Sequence, residues 1–128
     1  RTTPLHMRLF AELIKRWVPM YPKHSKPDGA SALWQGYAHE PVLAATQLFR
    51  LQVEVNRYLG DIQQPLLIVQ GKKDHAVYPT VPGWIAESVR SQIVEVHWMP
   101  ESGHCVILDA EREAVGEITL KFLQRVLS

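Results

Sequence analysis

A chain of 128 residues with 46% hydrophobic and 21% charged side chains fits one ordinary globular domain and lies far from disordered or collagen-like sequence. With 14 basic and 13 acidic residues the formal charge is +1, which gives no electrostatic reason to expect nucleic acid or an anionic membrane as partner. The single cysteine, Cys105, excludes an internal disulfide and fits a reducing, cytoplasmic setting. No apolar run approaches the roughly 20 residues that span a bilayer, so no stable membrane anchor is expected. The opening residues RTTPLHMRLF lack an initiator Met and the layout of a signal peptide, as expected of a processed product or a fragment.

Thr3 as N-cap and Pro4 at the first helical position announce a helix over residues 4 to 18. Leu5, Leu9, Phe10, Leu13, Ile14 and Trp17 follow at helical spacing, and Pro19 stops the run. VPMYPKHSKPDGAS, residues 18 to 31, holds three prolines and a glycine and cannot stay regular for long. Ala32, Leu33, Trp34 and Tyr37 are compatible with a short helix. Pro41 opens a second long helix with Val42, Ala45, Leu48, Phe49, Leu51 and Leu59 at its apolar positions and Gly60 as terminator.

The texture then changes. Pro65 to Gln70, PLLIVQ, is a continuous apolar run closed by Gly71, the form of a strand buried on both faces of a parallel sheet. Pro82 to Ser91 reads as a helix and Ile93 to Met99 as a second strand. Asp109 is expected to cap a last helix that ends near Val126, with Val115, Ile118, Phe122 and Val126 as its buried stripe. This is an α/β order with right-handed crossovers. Two strands are too few for an independently stable sheet, and the first helix carries more apolar surface than so short a chain covers easily. The chain reads as part of a larger fold.

Each strand is followed at its carboxyl end by a polar group, where open α/β sheets place their crevices. Asp74 follows the first in QGKKD and His104 follows the second in PESGH, 30 residues later. Adjacent parallel strands deliver both to one edge of the sheet. A carboxylate that accepts from one imidazole nitrogen sets the tautomer and leaves the other nitrogen free as a base. Taken singly, Asp74 is a plausible turn residue in GKKD and His104 an ordinary surface histidine. Their pairing favours the catalytic roles.

These residues resemble a family. PLLIVQGKKDHAVYPTVPGWIAES and IVEVHWMPESGHCVILDAEREAVGEITLKFL are similar to the last two strand–helix units of α/β-hydrolases of the carboxylesterase and monoacylglycerol lipase type. The segment PLLIVQGxxD resembles the family's acid strand, and SGHxxxxD its histidine loop. The match is close over residues 60 to 128 and looser over residues 1 to 59, which resemble a helical cap followed by a helix returning to the main sheet. The resemblance implies the C-terminal portion of an α/β-hydrolase fold, with its last two parallel strands and flanking helices. Residues 1–40 would be part of the cap and residues 41–128 the C-terminal half of the core. It further implies a carboxylic ester hydrolase working through a Ser-Asp-His triad, with Asp74 as acid, His104 as base and a small-molecule ester as substrate. Neither metal nor organic cofactor is called for.

The family's Gly-x-Ser-x-Gly elbow does not occur here. The nearest segment, Gly29-Ala-Ser31-Ala-Leu33, lacks the second glycine and a preceding strand, and the oxyanion-hole segment is missing as well. The nucleophile is therefore expected on the missing N-terminal half, the chain's implied partner, and this chain alone is expected to be inactive. Epoxide hydrolase, dehalogenase or peroxidase-like chemistry on the same fold, or a non-catalytic hydrolase-like binding module, are the alternatives.

Other chemistry-bearing residues have simpler readings. His75 beside Asp74 prompts a metal site with His104 and Glu101, but no HExxH or similar ligand spacing supports one. Cys105 as a thiol nucleophile is disfavoured because a side chain adjacent to its own base points elsewhere. His6, His24, His39 and His97 are taken as structural or exposed. Trp17, Met20, Tyr21, Trp34 and Tyr37 are expected in the core of the cap; if the cap covers an acyl-binding pocket, some of them line it.

Overall fold

The computed structural model describes residues 5–14, 17–18, 20–22 and 39–128. Their elements run α1 (Leu5–Ile14), β1 (Met20–Pro22), β2 (His39–Pro41), α2 (Val42–Tyr58), β3 (Leu66–Gly71), α3 (Val81–Ser88), β4 (Val94–Met99) and α4 (Arg112–Leu127), with 3-10 turns at Leu59–Asp61 and Val106–Leu108. The described residues fall into two compact units that part between Leu59 and Gly60.

In the first unit α1 packs on α2, and an exposed ion pair joins Arg50 to Glu12 at 2.9 Å. The prolines that forbid a long regular segment still permit the short antiparallel pair β1–β2, with Met20 opposite Pro41 and Pro22 opposite His39. Proline is tolerated there because each strand is an edge. Thr46 is nearly fully buried and its hydroxyl donates to the Leu43 carbonyl at 2.8 Å, so this hydroxyl is satisfied inside its own helix. Gly60 does not act as a left-handed terminator. Leu59 keeps right-handed helical angles, and the chain tightens into a 3-10 turn instead.

The apolar positions read from helical spacing are only partly covered. Leu5, Leu9, Phe10 and Leu13 on α1 are exposed, as are Leu48 and Leu51 on α2. Trp17, expected in the cap core, is 85% exposed, and Met20 is exposed as well. Periodicity identifies which residues share a face, whereas burial also needs a partner for that face. The side chain of Tyr21, together with Trp34, Tyr37, His24 and the Gly29–Leu33 segment, lies outside the described residues.

The second unit is a strand–helix–strand–helix unit. β3 and β4 pair in parallel, Leu66 opposite Val94 through Gly71 opposite Met99, with α3 as the crossover. Both strands lie within one residue of the ranges read from sequence. Their side chains are mostly half-buried, becoming buried at Gln70, Gly71 and Met99. The apolar run of β3 calls for neighbours on both sides, and among the described residues it has one, β4. α3 stops at Ser88, short of the expected Ser91, because Val89 is extended and the Arg90 N–H turns to the Ile62 carbonyl at 2.8 Å. The core of this unit is Met99, Val115 and Phe122; of the stripe expected on α4, Val115 and Phe122 are buried while Ile118 and Val126 are half-buried. Arg125 pairs with Glu95 on β4 and lies over the Phe122 ring, so α4 covers the sheet face that carries Glu95 and His97.

Asp109 does not cap α4. That helix begins at Arg112, with Glu111 in the capping position, and the Asp109 carboxylate turns back to the Gly103 N–H instead. A 3-10 turn and three further residues separate the histidine loop from the helix. Among the described residues, no helix is long and apolar enough to cross a membrane.

β3 ends against the loop that follows β4. A β-carbon on Gly71 would overlap the carbonyl oxygens of Ser102 and Gly103 and lie 2.6 Å from the Ser102 carbonyl carbon. These are backbone atoms and cannot swing aside as the tip of a side chain would. Gly71→Ala should therefore force the two loops apart at a cost on the order of 1–3 kcal/mol, the usual range for overpacking. Denaturant unfolding of the variant checks this, with a lowered midpoint and an unchanged slope as the expected result.

Candidate active site

The two loops at the carboxyl edge of β3–β4 are joined through their backbones. Lys72 N–H donates to the Met99 carbonyl at 2.8 Å and Lys73 N–H to the Ser102 carbonyl at 3.0 Å. Across this seam the exposed Lys73 ammonium meets Glu101 at 2.6 Å. That hydrogen bond, followed by the charge of Glu101, raises the Lys73 pKa. Full exposure leaves the pair to solvent screening, so it adds little to stability.

Asp74 follows immediately. Its N–H closes a turn onto the Gly71 carbonyl at 3.3 Å, and its side chain is only 4% exposed. The two carboxylate oxygens have separate tasks. Oδ1 accepts the backbone N–H groups of Ala76 at 2.7 Å and Val77 at 2.9 Å, the Asx-type turn that the GKKD composition favours. Oδ2 is 3.1 Å from Nδ1 of His104. Gln70, buried below, donates from its amide to the Val77 carbonyl at 3.1 Å and so ties down the far end of the same turn. The aspartate and histidine singled out in the sequence are thus in direct contact.

Burial of the Asp74 carboxyl pushes its pKa up, but the hydrogen bonds from Val77, His104 and Ala76 and the charge of His104 outweigh it. The net effect holds the group below its ordinary value of 3.8. His104 is 46% exposed in its side chain. With Nδ1 directed at Asp74, the neutral ring carries its proton there and presents Nε2 as a lone pair to the open side. Among the described residues, none engages Nε2.

The remaining candidates are placed as follows. Cys105 is a half-buried free thiol at the end of the same loop. His75 is exposed beside Asp74, and Glu101 is engaged with Lys73. No group of three or more His, Cys, Asp or Glu among the described residues is arranged to hold a metal ion. His97 is a structural histidine on β4, 3.1 Å from Glu95, and His6 and His39 are exposed. Three residues that shape the site escaped the sequence reading: Gly71, Ser102 and Glu111. In the sequence Gly71 marks only the end of a strand. Glu111 has no signal of its own in the sequence, since its place two residues after Asp109 does not say which N–H a carboxylate will face.

No family model matches the chain. It is 24% identical, over 129 aligned positions, to a carboxylesterase of Bacillus subtilis, with 96% of this chain and 52% of that protein covered. A solved structure from work on the metagenome-derived lipolytic enzymes LipS and LipT superposes with a TM-score of 0.84 at 23% identity, covering 98% of this chain and 51% of that one. The monoacylglycerol lipase of Paleococcus ferrophilus gives 0.71 at 15% identity, with 96% and 53% covered. The fold is the C-terminal portion of an α/β-hydrolase fold, two parallel strands with flanking helices. Within that class the chain is similar to carboxylesterases and monoacylglycerol lipases, and it spans about half the length of the relatives it matches.

The depressed pKa of Asp74 has a consequence for stability. The folded state favours the ionised carboxylate more than the unfolded chain does. The resulting stabilisation is complete above the ordinary value of 3.8 and is lost as the pH falls through the lower folded value. Asp74→Asn removes this contribution. Unfolding free energies measured from neutral pH down through the carboxylate range should therefore fall less steeply in the variant than in the parent protein. Parallel curves would show that the Asp74 carboxyl does not titrate differently on folding.

Proposed function

We propose that this chain supplies the acid and the base of a carboxylic ester hydrolase acting through a Ser-Asp-His triad, with Asp74 as the acid and His104 as the base. The observation that carries the reading is the 3.1 Å contact between His104 Nδ1 and Asp74 Oδ2 at the carboxyl edge of a parallel strand pair. A serine outside this chain attacks the ester carbonyl. His104 Nε2 takes the serine proton during attack and returns it to the leaving alcohol. Water then attacks the acyl-enzyme, with His104 as base for the water and as acid for the departing serine. Asp74 stays ionised throughout, holds the imidazole in the required tautomer and stabilises its positive form. Its second oxygen is occupied by two backbone N–H groups, so the carboxylate cannot rotate away from the ring without breaking them.

Ser102 is not the nucleophile of this scheme. It is fully buried, and its hydroxyl is committed to Glu111 at 2.7 Å. On this reading the serine elbow and the oxyanion hole lie on the N-terminal half of the same hydrolase, the chain's partner, and the chain alone is inactive. Residues 1–40 belong to a cap and residues 41–128 to the core. The substrate is a small-molecule ester, as the names of the carboxylesterase and monoacylglycerol lipase it resembles support. A reducing, cytoplasmic setting is part of this proposal, supported by the chain having a single cysteine, Cys105.

In the intact enzyme, Asp74→Asn should lower kcat for a short-chain p-nitrophenyl ester by on the order of 10⁴-fold while the fold is retained. A fluorophosphonate probe should label a serine of the intact enzyme and leave this chain by itself unlabelled. Near-normal turnover by Asp74→Asn would remove the triad assignment, and labelling of the isolated chain would place the nucleophile within it.

A further inference from the structure

The three residues that precede His104 are each hydrogen-bonded to one of two carboxylates on the segment leading into α4. Gly103, buried, donates its N–H to Asp109 Oδ2 at 2.7 Å, and the other oxygen of that carboxylate accepts the Ala110 N–H at 2.8 Å. A single oxygen of Glu111, Oε2, accepts both the Ser102 hydroxyl at 2.7 Å and the Glu101 N–H at 2.9 Å. On the opposite side, the carbonyl oxygens of Ser102 and Gly103 face Gly71, and the Ser102 oxygen also accepts the Lys73 N–H at 3.0 Å. The loop is therefore gripped from both sides immediately before the histidine. Ser102 has no exposed surface, and Asp109 is 6% exposed. Capping of α4 accounts for neither carboxylate, since Glu111 makes no side-chain cap to that helix.

We propose that Asp109 and Glu111 are positioning residues that hold the Glu101–Gly103 segment so that the His104 ring stays on Asp74. This rests on the reading of His104 as the catalytic base. The two carboxylates act by different geometry, and this makes the proposal specific. Glu111 uses one oxygen for both of its bonds, so a glutamine carbonyl can replace it. Asp109 uses both oxygens, each toward an N–H donor, so asparagine must set an NH₂ group against one of them. What matters at Glu111 is an acceptor in the right place, and its charge is dispensable.

The test uses the intact enzyme with p-nitrophenyl butyrate, measuring kcat and KM separately, with a thermal unfolding curve for every variant. Glu111→Gln should keep kcat within about threefold of the parent. Glu111→Ala should lower kcat by on the order of 100-fold with KM nearly unchanged, the scale expected when a reacting group is displaced by about an ångström. Asp109→Asn should resemble Glu111→Ala in kcat. The downfield imidazole N–H resonance of His104, a signature of its contact with Asp74, should persist in Glu111→Gln and be lost in Glu111→Ala. Parent-like kcat in Glu111→Ala overturns the proposal, as does a loss in a folded Glu111→Gln equal to that in Glu111→Ala. Should Glu111→Ala fail to fold, Ser102→Ala decides, because it deletes one of the two bonds to Oε2. A lowered kcat is expected there, and the parent value overturns the proposal. A His104→Gln control separates the two levels of inference: activity retained in that variant removes the base assignment itself, whatever Glu111 does.

Discussion

The parallel pairing of β3 with β4 places Gly71 opposite Met99, so the two chains leave the sheet side by side at the same level. The rest of the site depends on this register. Asp74 lies three residues beyond the end of one strand and His104 five beyond the end of the other, and short turns are all that separate their side chains. A slip of one residue would move a strand by about 3.3 Å and turn every side chain to the opposite face of the sheet. Such a shift exceeds the tolerance of a 3.1 Å hydrogen bond, and it would also bring a side chain to the position where only glycine fits. The register is held from below by half-buried apolar side chains on both strands and by the cluster of Met99, Val115 and Phe122.

Around this seam the polar groups divide by burial. The contact between Lys73 and Glu101 crosses the two loops, but it is exposed and easily screened. The bonds that fix geometry are those of Asp74, Asp109, Glu111 and Gln70, most of them drawing on backbone N–H or carbonyl groups that would otherwise be left without partners. The carboxylates of Asp74, Asp109 and Glu111 border these loops, and each is committed to N–H or O–H donors. Ionised acceptors of this kind make stronger hydrogen bonds than neutral ones, which suits them to hold loops that have little apolar surface of their own.

The distribution of exposed apolar side chains fits a fold of which this chain is about half. A strand as uniformly apolar as Leu66–Val69 is at home in the middle of a sheet, and here one flank is paired. The Leu and Phe residues of α1 likewise keep a helical stripe that the described residues leave uncovered. Pattern and burial therefore disagree most where the chain calls for further neighbours, and agree best in α4, whose stripe has the sheet beneath it.

The amino-acid order alone determined the two strands, the crossover helix between them, the buried stripe of α4 and the meeting of Asp74 with His104. Each of these follows from local periodicity and from the rule that polar groups after adjacent parallel strands gather at one edge. The tertiary structure decided the rest. Asp109 looked like a helix cap because it precedes a helix, yet a carboxylate binds whichever N–H the folded chain brings within reach, and that was Gly103. Glu111 and Gly71 carried no signal of their own, since one acts through a loop that precedes it by ten residues and the other through the space it leaves empty. Close approach between segments distant in sequence exists only once the sheet has formed, and the placing of these groups is a matter of that approach.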